Sequence, residues 1–470
     1  MKQLRPVLII LALLCVLTIQ PAVADSAVKT PRFERVQLSN GVTVLLMERH
    51  DVPLIAFNAI VRGGAATDPE NGYGTASLLA GLLEKGAGAR DANQFAETVA
   101  SVGGSIETGA STETISVAGS FLARDQKLMV ELLADVLQRP RLEAEQFETL
   151  RGRYIEFIRA AKDSDRSSLT SIYGAAYLFG THPYGRPVNG SEASLAALKH
   201  ADVQRYYQDH VGADRLIISI AGDFKSAQLK SLLSRAFSGW RKAGQPLPSI
   251  PKPPANNERR VLLIDAPDAV QSYFWAGDVS VAKSDPRRAT LDIVNTLFGG
   301  RFTSMLNSEL RIRTGLSYSA SSNFDRMRDA GSWELASFTR TEKTIEAIDL
   351  AFATLDKLHA GALDDAQLAS GKSYVLGQYP LAFETASQWA YQLATIEFYG
   401  LDRGYIDGYG NALAAVSLDD ARRIVAEAIP PSRALVLVVI GKGDAIRDGL
   451  RAYGPLTEMK LSDPEFQRRP

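Results

Sequence analysis

The sequence predicts an α+β protein built from two homologous halves, each a mostly antiparallel sheet covered by helices. Three observations predict this clamshell arrangement. A proline-rich stretch, residues 244–257, divides the chain into parts of similar size. Each part opens with β-type segments and continues with long helical segments, as α+β domains do. Residues 201–223 and 417–444 share a pattern of helix, Arg, apolar strand and Gly turn, which indicates an internal duplication.

The first half opens with a predicted β-hairpin. Asn40-Gly41 separates two apolar segments, 33–38 and 42–47, and both turn residues tolerate a positive φ. A third strand is expected at residues 54–61. Further strands are expected near 105–108 and 114–121, and helices near 72–84, 93–101, 125–137 and 144–161.

The second half is predicted to follow a similar plan after an extended linker. Five prolines within residues 244–257 exclude a regular helix or a central strand there. Strands are then expected near 260–264, 272–275, 317–322 and 332–338, and helices near 287–297, 303–311, 344–360 and 364–378.

The first residues have the pattern of an export signal. Lys2 and Arg5 precede an apolar run at residues 7–19, and Ala22-Val23-Ala24 forms a small-residue cleavage site. The run is short for a membrane span. We expect cleavage after Ala24, a periplasmic product and no stable membrane span, with an uncleaved anchor as the alternative. The predicted organisation is a signal peptide (1–24), an N-terminal domain (25–243), a linker (244–257) and a C-terminal domain (258–470).

The composition and net charge of the chain argue against several kinds of partner and site. The formal net charge of −1 gives no strong field that would attract nucleic acid or an anionic membrane. The only cysteine, Cys15, lies inside the apolar run of the signal. The exported chain is therefore expected to have no disulfide and no thiolate metal site.

The most informative segment is residues 62–86, RGGAATDPENGYGTASLLAGLLEKG, where a strand and a Gly-rich turn lead into a helix. It resembles the zinc-helix region of the M16 peptidases (pitrilysin-like, insulinase-type), whose helix carries His-x-x-Glu-His. Two His residues four apart share one helix face and can bind one zinc ion. The Glu beside the second His then acts as general base on the metal-bound water.

The matching positions in this chain are Ser77, Ala80 and Gly81, so both imidazoles and the base are absent. The family's third ligand is a Glu on a later helix, and the two Glu columns of that pattern hold Leu150 and Phe157. Glu156 is adjacent, but one helical step rotates a side chain by about 100°.

No two of the five histidines lie within four residues of each other. The resemblance is thus to an M16B-like bacterial subunit that lacks the zinc motif. No metal is expected in this chain, and zinc is expected in a partner subunit.

Residues 298–319 resemble the C-terminal-domain pattern of the same family, Leu-Arg-x-x-x-Gly-Leu-x-Tyr. The resemblance implies that Arg311 and Tyr318 contact substrate and assist a zinc site in a partner. An Arg offers charge-assisted donors and a Tyr hydroxyl can donate to a developing oxyanion. The alternative is that Arg311 pairs with a carboxylate on its own helix and that Tyr318 is an ordinary strand aromatic.

Peptide substrates in this family add to a sheet edge. The equivalent edge is expected at residues 116–122, with Ser116, Gly119 and Phe121 as substrate-binding residues. Residues 182–186, His-Pro-Tyr-Gly-Arg, also resemble a family stretch, and we interpret them as a helix stop and turn built by Pro183 and Gly185.

The leading hypothesis is therefore a non-catalytic subunit of a periplasmic M16-type zinc metalloendopeptidase. It would form a heterodimer with a homologous subunit that carries the intact motif, and would act on peptides or unfolded proteins. The alternative is a non-enzymatic peptide-binding or assembly protein with the same fold. A third hypothesis, a serine hydrolase using the Ser-x-x-Lys pattern of Ser280 and Lys283, rests on four residues that recur by chance.

Overall fold

The computed structural model describes residues 28–254, 256 and 258–467, so the predicted signal peptide lies outside the described residues. Within them, no helix is both long and apolar enough to cross a bilayer. The strands are β1 (Glu34–Gln37), β2 (Thr43–Glu48), β3 (Leu54–Arg62), β4 (Gly86–Ala87), β5 (Arg90–Asp91), β6 (Ser105–Ala110), β7 (Thr114–Leu122), β8 (Leu216–Gly222), β9 (Val261–Asp265), β10 (Gln271–Ser280), β11 (Ala320–Arg326), β12 (Gly331–Arg340), β13 (Val436–Gly441) and β14 (Leu456–Lys460).

The helices of the first half are α1 (Thr75–Leu83), α2 (Ala92–Ser101), α3 (Gln126–Gln138), α4 (Ala144–Ser164), α5 (Ser167–Phe179), α6 (Glu192–Ala197), α7 (His200–His210) and α8 (Ser226–Phe237). Those of the second half are α9 (Arg288–Asn295), α10 (Met305–Asn307), α11 (Thr344–His359), α12 (Asp365–Gln378), α13 (Ala386–Tyr399), α14 (Gly404–Asp407), α15 (Tyr409–Ala415), α16 (Leu418–Ala428) and α17 (Gly443–Leu450). Two π-helical turns, Thr296–Gly300 and Ser308–Arg313, lie on either side of α10.

The two halves each contain a six-stranded sheet, and the sheets have matching topology. The order is β1-β2-β8-β3-β7-β6 in the first half and β11-β12-β10-β13-β9-β14 in the second. Strands β2-β8-β3-β7-β6 therefore correspond to β9-β13-β10-β12-β11. Strand β8 pairs in parallel with β2 and antiparallel with β3, and β13 pairs in the same way with β9 and β10. This correspondence confirms the predicted α+β fold with two homologous halves.

Local sequence explains the best-defined parts of these sheets. β1 and β2 form the predicted antiparallel hairpin, and Gly41 in the turn has a φ of 106°, which favours glycine. Every residue of β8 and of β13 is buried. These two strands are continuous apolar runs because both of their sheet faces are covered.

Each sheet is partly covered by a helix that comes from the opposite half of the sequence. Helix α13 packs on the first sheet, where Trp389 and Leu393 join a buried cluster with Leu45 and Met47 of β2. Helix α5 packs on β10 and β13 of the second sheet. The approach of α5 is close: a Cβ on Gly174 would lie 2.5 Å from the Trp275 ring. The halves are thus joined by an exchange of helices.

A buried carboxylate connects the two halves at a second place. Glu113, in the turn between β6 and β7, accepts hydrogen bonds from the hydroxyls of Tyr184 (2.8 Å) and Tyr399 (3.1 Å). It also accepts from the backbone N–H of Arg328, in the β11–β12 turn, at 3.1 and 3.2 Å. Glu113 is 6% exposed. Because these donors come from both halves, this cluster fixes their relative position.

The described part of the linker, residues 244–254, forms neither helix nor strand. The His182 ring contacts the Pro251 carbonyl through Nε2 at 2.8 Å, and the Arg215 guanidinium donates to the Gln245 carbonyl. His182 itself caps a short 3₁₀ turn, Pro183–Gly185, by accepting from the Tyr184 N–H. This confirms residues 182–186 as a helix stop and turn.

Candidate functional site

Helix α1 carries Ser77, Ala80 and Gly81, the positions that the resemblance assigns to the zinc motif, and a buried network fixes its start. Gly74, at the N-cap, has a φ of 95°. The Asp68 carboxylate accepts hydrogen bonds from the N–H groups of Gly74 and Ala76, both at 2.8 Å. Arg186 donates to the carbonyls of Ala66 and Asp68 at 2.7 Å. Burial raises the pKa of Asp68 to about 7. The turn and helix of the resemblance are therefore present without the metal ligands.

The residues at the three zinc-motif positions of α1 are held by structural contacts. The Ser77 hydroxyl donates to Asn189 Oδ1 at 2.7 Å, and Ala80 is buried. A Cβ added to Gly81 would lie 2.6 Å from Leu150 Cδ2 and 3.2 Å from Tyr154 Oη. Leu150 and Tyr154 of α4 thus occupy the space into which a side chain at position 81 would extend.

The position of the third ligand is also unsuited to a metal. Phe157 is 70% exposed and faces the cleft between the halves. The neighbouring Glu156 is exposed and pairs with Arg159 at 2.8 Å, on the surface of α4. Position 77 offers one neutral hydroxyl, and positions 80, 81 and 157 offer no donor atom. These residues do not fit a zinc ion, which takes charged or imidazole ligands in tetrahedral geometry.

The described residues contain no group of three or more His, Cys, Asp or Glu side chains that could hold a metal ion. The histidines are engaged separately. His50 contacts Asp223 at 2.6 Å, His200 contacts the Leu142 carbonyl, and His359 contacts the Pro430 carbonyl at 3.4 Å. His210 lies beside Arg215, and burial lowers the pKa of His210.

The structure places Arg311 and Tyr318 against each other at the surface of the second half. Arg311 is on the π-helical turn Ser308–Arg313, and Tyr318 lies just before β11. The Arg311 guanidinium carbon is 4.2 Å from the Tyr318 ring centroid and 4.7 Å from that of Phe302. The two rings are largely exposed, at 71% and 59%. Arg311 is therefore held between two aromatic faces, a favourable position for a cation.

Arg311 makes no ion pair within the described residues, contrary to the alternative interpretation of this residue. The nearby carboxylate, Glu309, pairs instead with Arg313 (2.5 Å) and Lys357 (3.4 Å). Tyr318 does not belong to a strand, since β11 begins at Ala320. Phe302 was not singled out from the sequence. Its only signal is an aromatic residue directly after the Gly299-Gly300-Arg301 turn that opens the motif.

A cleft of 730 Å³ lies between the halves, next to the altered zinc position. Phe157 and Asn189, the partner of Ser77, line it from the first half. Asp325 and Glu334, on strands β11 and β12, line it from the second. Glu334 accepts a hydrogen bond from Trp275 Nε1 at 2.6 Å. Burial raises the pKa of Glu334, and desolvation raises that of Asp325. The wall from the first half mixes apolar and polar side chains, and the wall from the second half adds two carboxyl groups.

The prediction that residues 116–122 form a peptide-binding sheet edge is wrong. Strand β7 is internal, because β3 pairs with one side of it and β6 with the other. The Phe121 side chain is 1% exposed, and the Ser116 hydroxyl donates to the Gly109 carbonyl of β6. Gly119 lies between both neighbours, with a Cβ there 2.3 Å from the Ser105 carbonyl. The free edge of this side of the sheet is β6, Ser105–Ala110.

The Ser-x-x-Lys pattern does not form a catalytic pair. The Ser280 hydroxyl, at the end of β10, is buried and has no hydrogen-bond partner among the described residues, so it does not contact Lys283. The Lys283 ammonium lies 5.7 Å from the Tyr399 ring centroid, and burial lowers its pKa.

Two family models match the chain. The model described as Insulinase (Peptidase family M16) matches residues 43–190, and the one described as Peptidase M16 inactive domain matches residues 197–375. Together they cover more than half of the chain. The chain belongs to peptidase family M16.

Relatives and solved structures agree with this M16 assignment. A Mycobacterium tuberculosis protein described as an uncharacterized zinc protease is 27% identical over 382 residues, covering 80% of this chain and 86% of its own. A Helicobacter pylori protein described as a non-peptidase homolog is 22% identical, covering 81% and 87%. The crystal structure of a peptidase M16 inactive domain from Pseudomonas fluorescens superposes with a TM-score of 0.81 at 20% identity, covering 87% and 98%.

Proposed function

We propose that this chain is a non-catalytic subunit of a periplasmic M16-type zinc metalloendopeptidase. It would contribute Arg311, Tyr318 and half of an enclosing chamber to a homologous partner that carries His-x-x-Glu-His. The observation that carries the proposal is the unpaired Arg311 guanidinium, held between two exposed aromatic rings. The filled positions around Gly81 support it, because they leave this chain without a site for its own zinc.

The chemistry expected of this pair is electrostatic. Peptide hydrolysis at a partner's zinc site develops negative charge on the carbonyl oxygen, and preorganised donors aimed at that oxygen lower the barrier. Arg311 has no competing carboxylate, so its N–H groups are available to a substrate carbonyl. The ring of Tyr318 orients the guanidinium, and its hydroxyl adds a second donor. The substrates would be peptides or unfolded protein segments, bound through main-chain hydrogen bonds to a free sheet edge such as β6.

Export is part of the proposal. The pattern ending at Ala22-Val23-Ala24 supports secretion by a cleavable signal peptide, with the product in the periplasm. The near-zero net charge gives no reason to expect nucleic acid as a partner.

The test is reconstitution with a partner M16 subunit that has an intact motif, sought first in the adjacent reading frame. The purified chain alone should contain background zinc and show background peptidase activity, and activity should appear on mixing. Arg311→Ala should then lower kcat by roughly 10²–10³-fold, as the loss of one oxyanion donor does.

The matched control is Arg313→Ala, which removes a cation from the same π-helical turn that is already paired with Glu309. This control should leave kcat within about twofold of the wild type, since an exposed pair contributes little. EDTA-sensitive activity from this chain alone, or equal losses for the two variants, would refute the proposal.

The second candidate is a non-enzymatic peptide-binding or assembly protein. Two observations favour it: the cleft between the halves, and the 22% identical Helicobacter pylori relative described as a non-peptidase homolog. Replacing Arg311 with Ala and Tyr318 with Phe separates the two candidates. Unchanged partner-dependent cleavage in that double variant would favour the binding role.

A further inference from the structure

A segment that follows β14 crosses from the second half to the first and lies in a groove there. This segment, residues 461–467, is here called the strap. It begins at Leu461, whose N–H donates to the Asp265 carbonyl at the end of β9. It then runs along α4, α5 and the start of α6 of the first half. Leu461 and Phe466 are buried, whereas Ser462 and Pro464 are exposed. The strap is thus a bent segment without regular secondary structure, held by its two buried residues, Leu461 and Phe466.

The first half recognises the strap backbone through two hydrogen bonds. The Lys162 ammonium donates to the Asp463 carbonyl at 2.6 Å, and the Ala193 N–H donates to the Pro464 carbonyl at 3.1 Å. The Lys162 side chain is 9% exposed and is also fixed by Glu192 at 2.6 Å. A buried cation held in this way is preorganised to receive a carbonyl oxygen.

The first half also recognises two strap side chains. The hydroxyl of Ser191, which is fully buried, donates to Glu465 Oε2 at 2.5 Å. Phe466 is 3% exposed and meets the Tyr173 ring edge-on, with the ring centroids 5.0 Å apart. Edge-to-face pairs of this kind add to the energy of apolar burial. A carboxylate and an aromatic ring at consecutive positions thus enter two adjacent, chemically different places.

The floor of the groove contains one unsatisfied group. The Tyr173 hydroxyl is fully buried, and it has no hydrogen-bond partner among the described residues. A buried polar group without a partner destabilises the arrangement that buries it. Phe466 of the strap packs against the ring that carries this hydroxyl, so the docked strap helps to bury a group without a hydrogen bond.

We propose that the first half carries a peptide-binding groove, formed by Lys162, Tyr173, Ser191 and Ala193, that takes segments in which an acidic residue directly precedes an aromatic one. In this structure the groove is filled by the chain's own strap. Phe466 also lines the cleft between the halves, so release of the strap widens that cleft. The inference is independent of the proposed function, because every contact lies within this chain.

The first experiment uses the full chain with a protease recognition sequence inserted between Leu461 and Ser462. After cleavage, a fluorescein-labelled peptide of residues 461–470 is titrated and its anisotropy is measured. We expect saturable binding to the cleaved chain, and at least tenfold weaker binding to the intact chain, whose strap competes at high effective concentration. A peptide with Phe466→Ala should bind about a hundredfold more weakly, and one with Glu465→Gln about tenfold more weakly.

Circular dichroism of the cleaved chain establishes that it is folded. No saturable binding by a folded, cleaved chain would overturn the proposal, and so would equal binding of the wild-type and Phe466→Ala peptides.

A second measurement needs no cleavage. In the intact chain, the amide hydrogen exchange of Ala193 reports strap release, since this N–H is bonded to Pro464. Phe466→Ala in the intact chain should accelerate Ala193 exchange by at least tenfold and should permit binding of the labelled wild-type peptide. The amide of Val439, in the fully buried strand β13, serves as the control and should exchange at an unchanged rate. Unchanged exchange at Ala193 would equally overturn the proposal.

Discussion

Replacing Gly81 with His tests whether the first-half site has been repacked or has only lost its ligands. A Cβ at this position comes within 2.6 Å of Leu150 Cδ2, and the imidazole ring adds five more atoms beyond it. Leu150 and Tyr154 must therefore move. Forcing extra atoms into a packed region costs about 1–3 kcal/mol. The gain in helix propensity over glycine is only about 0.3 kcal/mol. We expect Gly81→His to lower the free energy of unfolding by about 2 kcal/mol.

The assay is urea unfolding followed by circular dichroism, with the slope m compared among variants. Gly152→His is the matched control, because a Cβ at Gly152, on helix α4, meets no atom within 4 Å. That variant should be as stable as the wild type to within about 0.5 kcal/mol.

Leu150→Ala alone should cost about 2–3 kcal/mol through the cavity it leaves. In the Leu150→Ala background the imidazole fills that cavity, so Gly81→His should cost at least 1 kcal/mol less, about the coupling expected of residues in contact.

Wild-type stability for Gly81→His would refute this reasoning, as would a coupling to Leu150 below about 0.3 kcal/mol. Either result would mean that the helix pair still has room for an imidazole. The same logic extends to a variant that restores the motif together with the third ligand, Ser77→His, Ala80→Glu, Gly81→His and Phe157→Glu. If position 81 is closed by Leu150, this variant binds no stoichiometric zinc. Tight zinc binding by that variant would show that the site is open.

Three further predictions follow from the described contacts. Glu113→Ala leaves the buried donors of both halves unsatisfied and should cost about 3–5 kcal/mol in urea unfolding. Gly174→Ala should cost about 2 kcal/mol, because its Cβ meets the Trp275 ring; equal stability would contradict the packing of α5 on the second sheet. Burial raises the pKa of Asp68 from the ordinary value of 3.8 to about 7 in the folded protein. The folded state therefore holds this proton more tightly than the unfolded chain does, and low pH stabilises it. As pH rises from 4 to 7, the free energy of unfolding of the wild type should fall by up to about 4 kcal/mol relative to that of Asp68→Asn. A difference between the two proteins that stays constant over this range would refute the prediction.

The elements that could be predicted from the sequence are those specified by local chemistry. Asn40-Gly41 predicts its hairpin because few other dipeptides adopt the required turn. The apolar runs of β8 and β13 predict strands buried on both faces, and their repeated context predicts the matching topology of the sheets.

Strand β7 was misplaced for a different reason. Its alternating pattern indicates a strand, but alternation does not specify whether β6 pairs outside it. Which strand ends a sheet depends on contacts between distant segments.

The helix exchange could not be predicted for the same physical reason. An apolar stripe on a helix indicates that one face is buried, and it does not identify the surface that buries it. Helix α13 covers β3 and β8, which lie far from it in the sequence. In the folded chain its Trp389 and Leu393 join a buried cluster with Leu45 and Met47 of β2. For helix α5 the surface is set by a close approach, that of Gly174 to the Trp275 ring.

The candidate site contains some residues that the sequence identifies and others that it does not. Ser77, Ala80 and Gly81 were identified through the spacing of a motif. Leu150 and Tyr154, which fill the site, are distant in the sequence and contact it only in the folded chain. Tyr154 donates a hydrogen bond to the Ser77 carbonyl at 3.3 Å, a contact that no sequence pattern marks. Phe302 was missed because one exposed aromatic residue has no sequence context that distinguishes it from many others.

The altered zinc-motif positions and the Arg311 region differ in how their polar groups are satisfied. Around Gly81, apolar side chains fill the available space, and the remaining hydroxyl of Ser77 has a partner in Asn189. Around Arg311, the nearby carboxylate of Glu309 pairs with Arg313 on the same turn and with Lys357. The Arg311 guanidinium is left without an ion pair among the described residues and lies against the exposed rings of Phe302 and Tyr318. Such a group is suited to a substrate or partner that supplies its acceptor. A closed site in one half and an open cation in the other are the arrangement expected of a chain that acts on a metal site in another subunit.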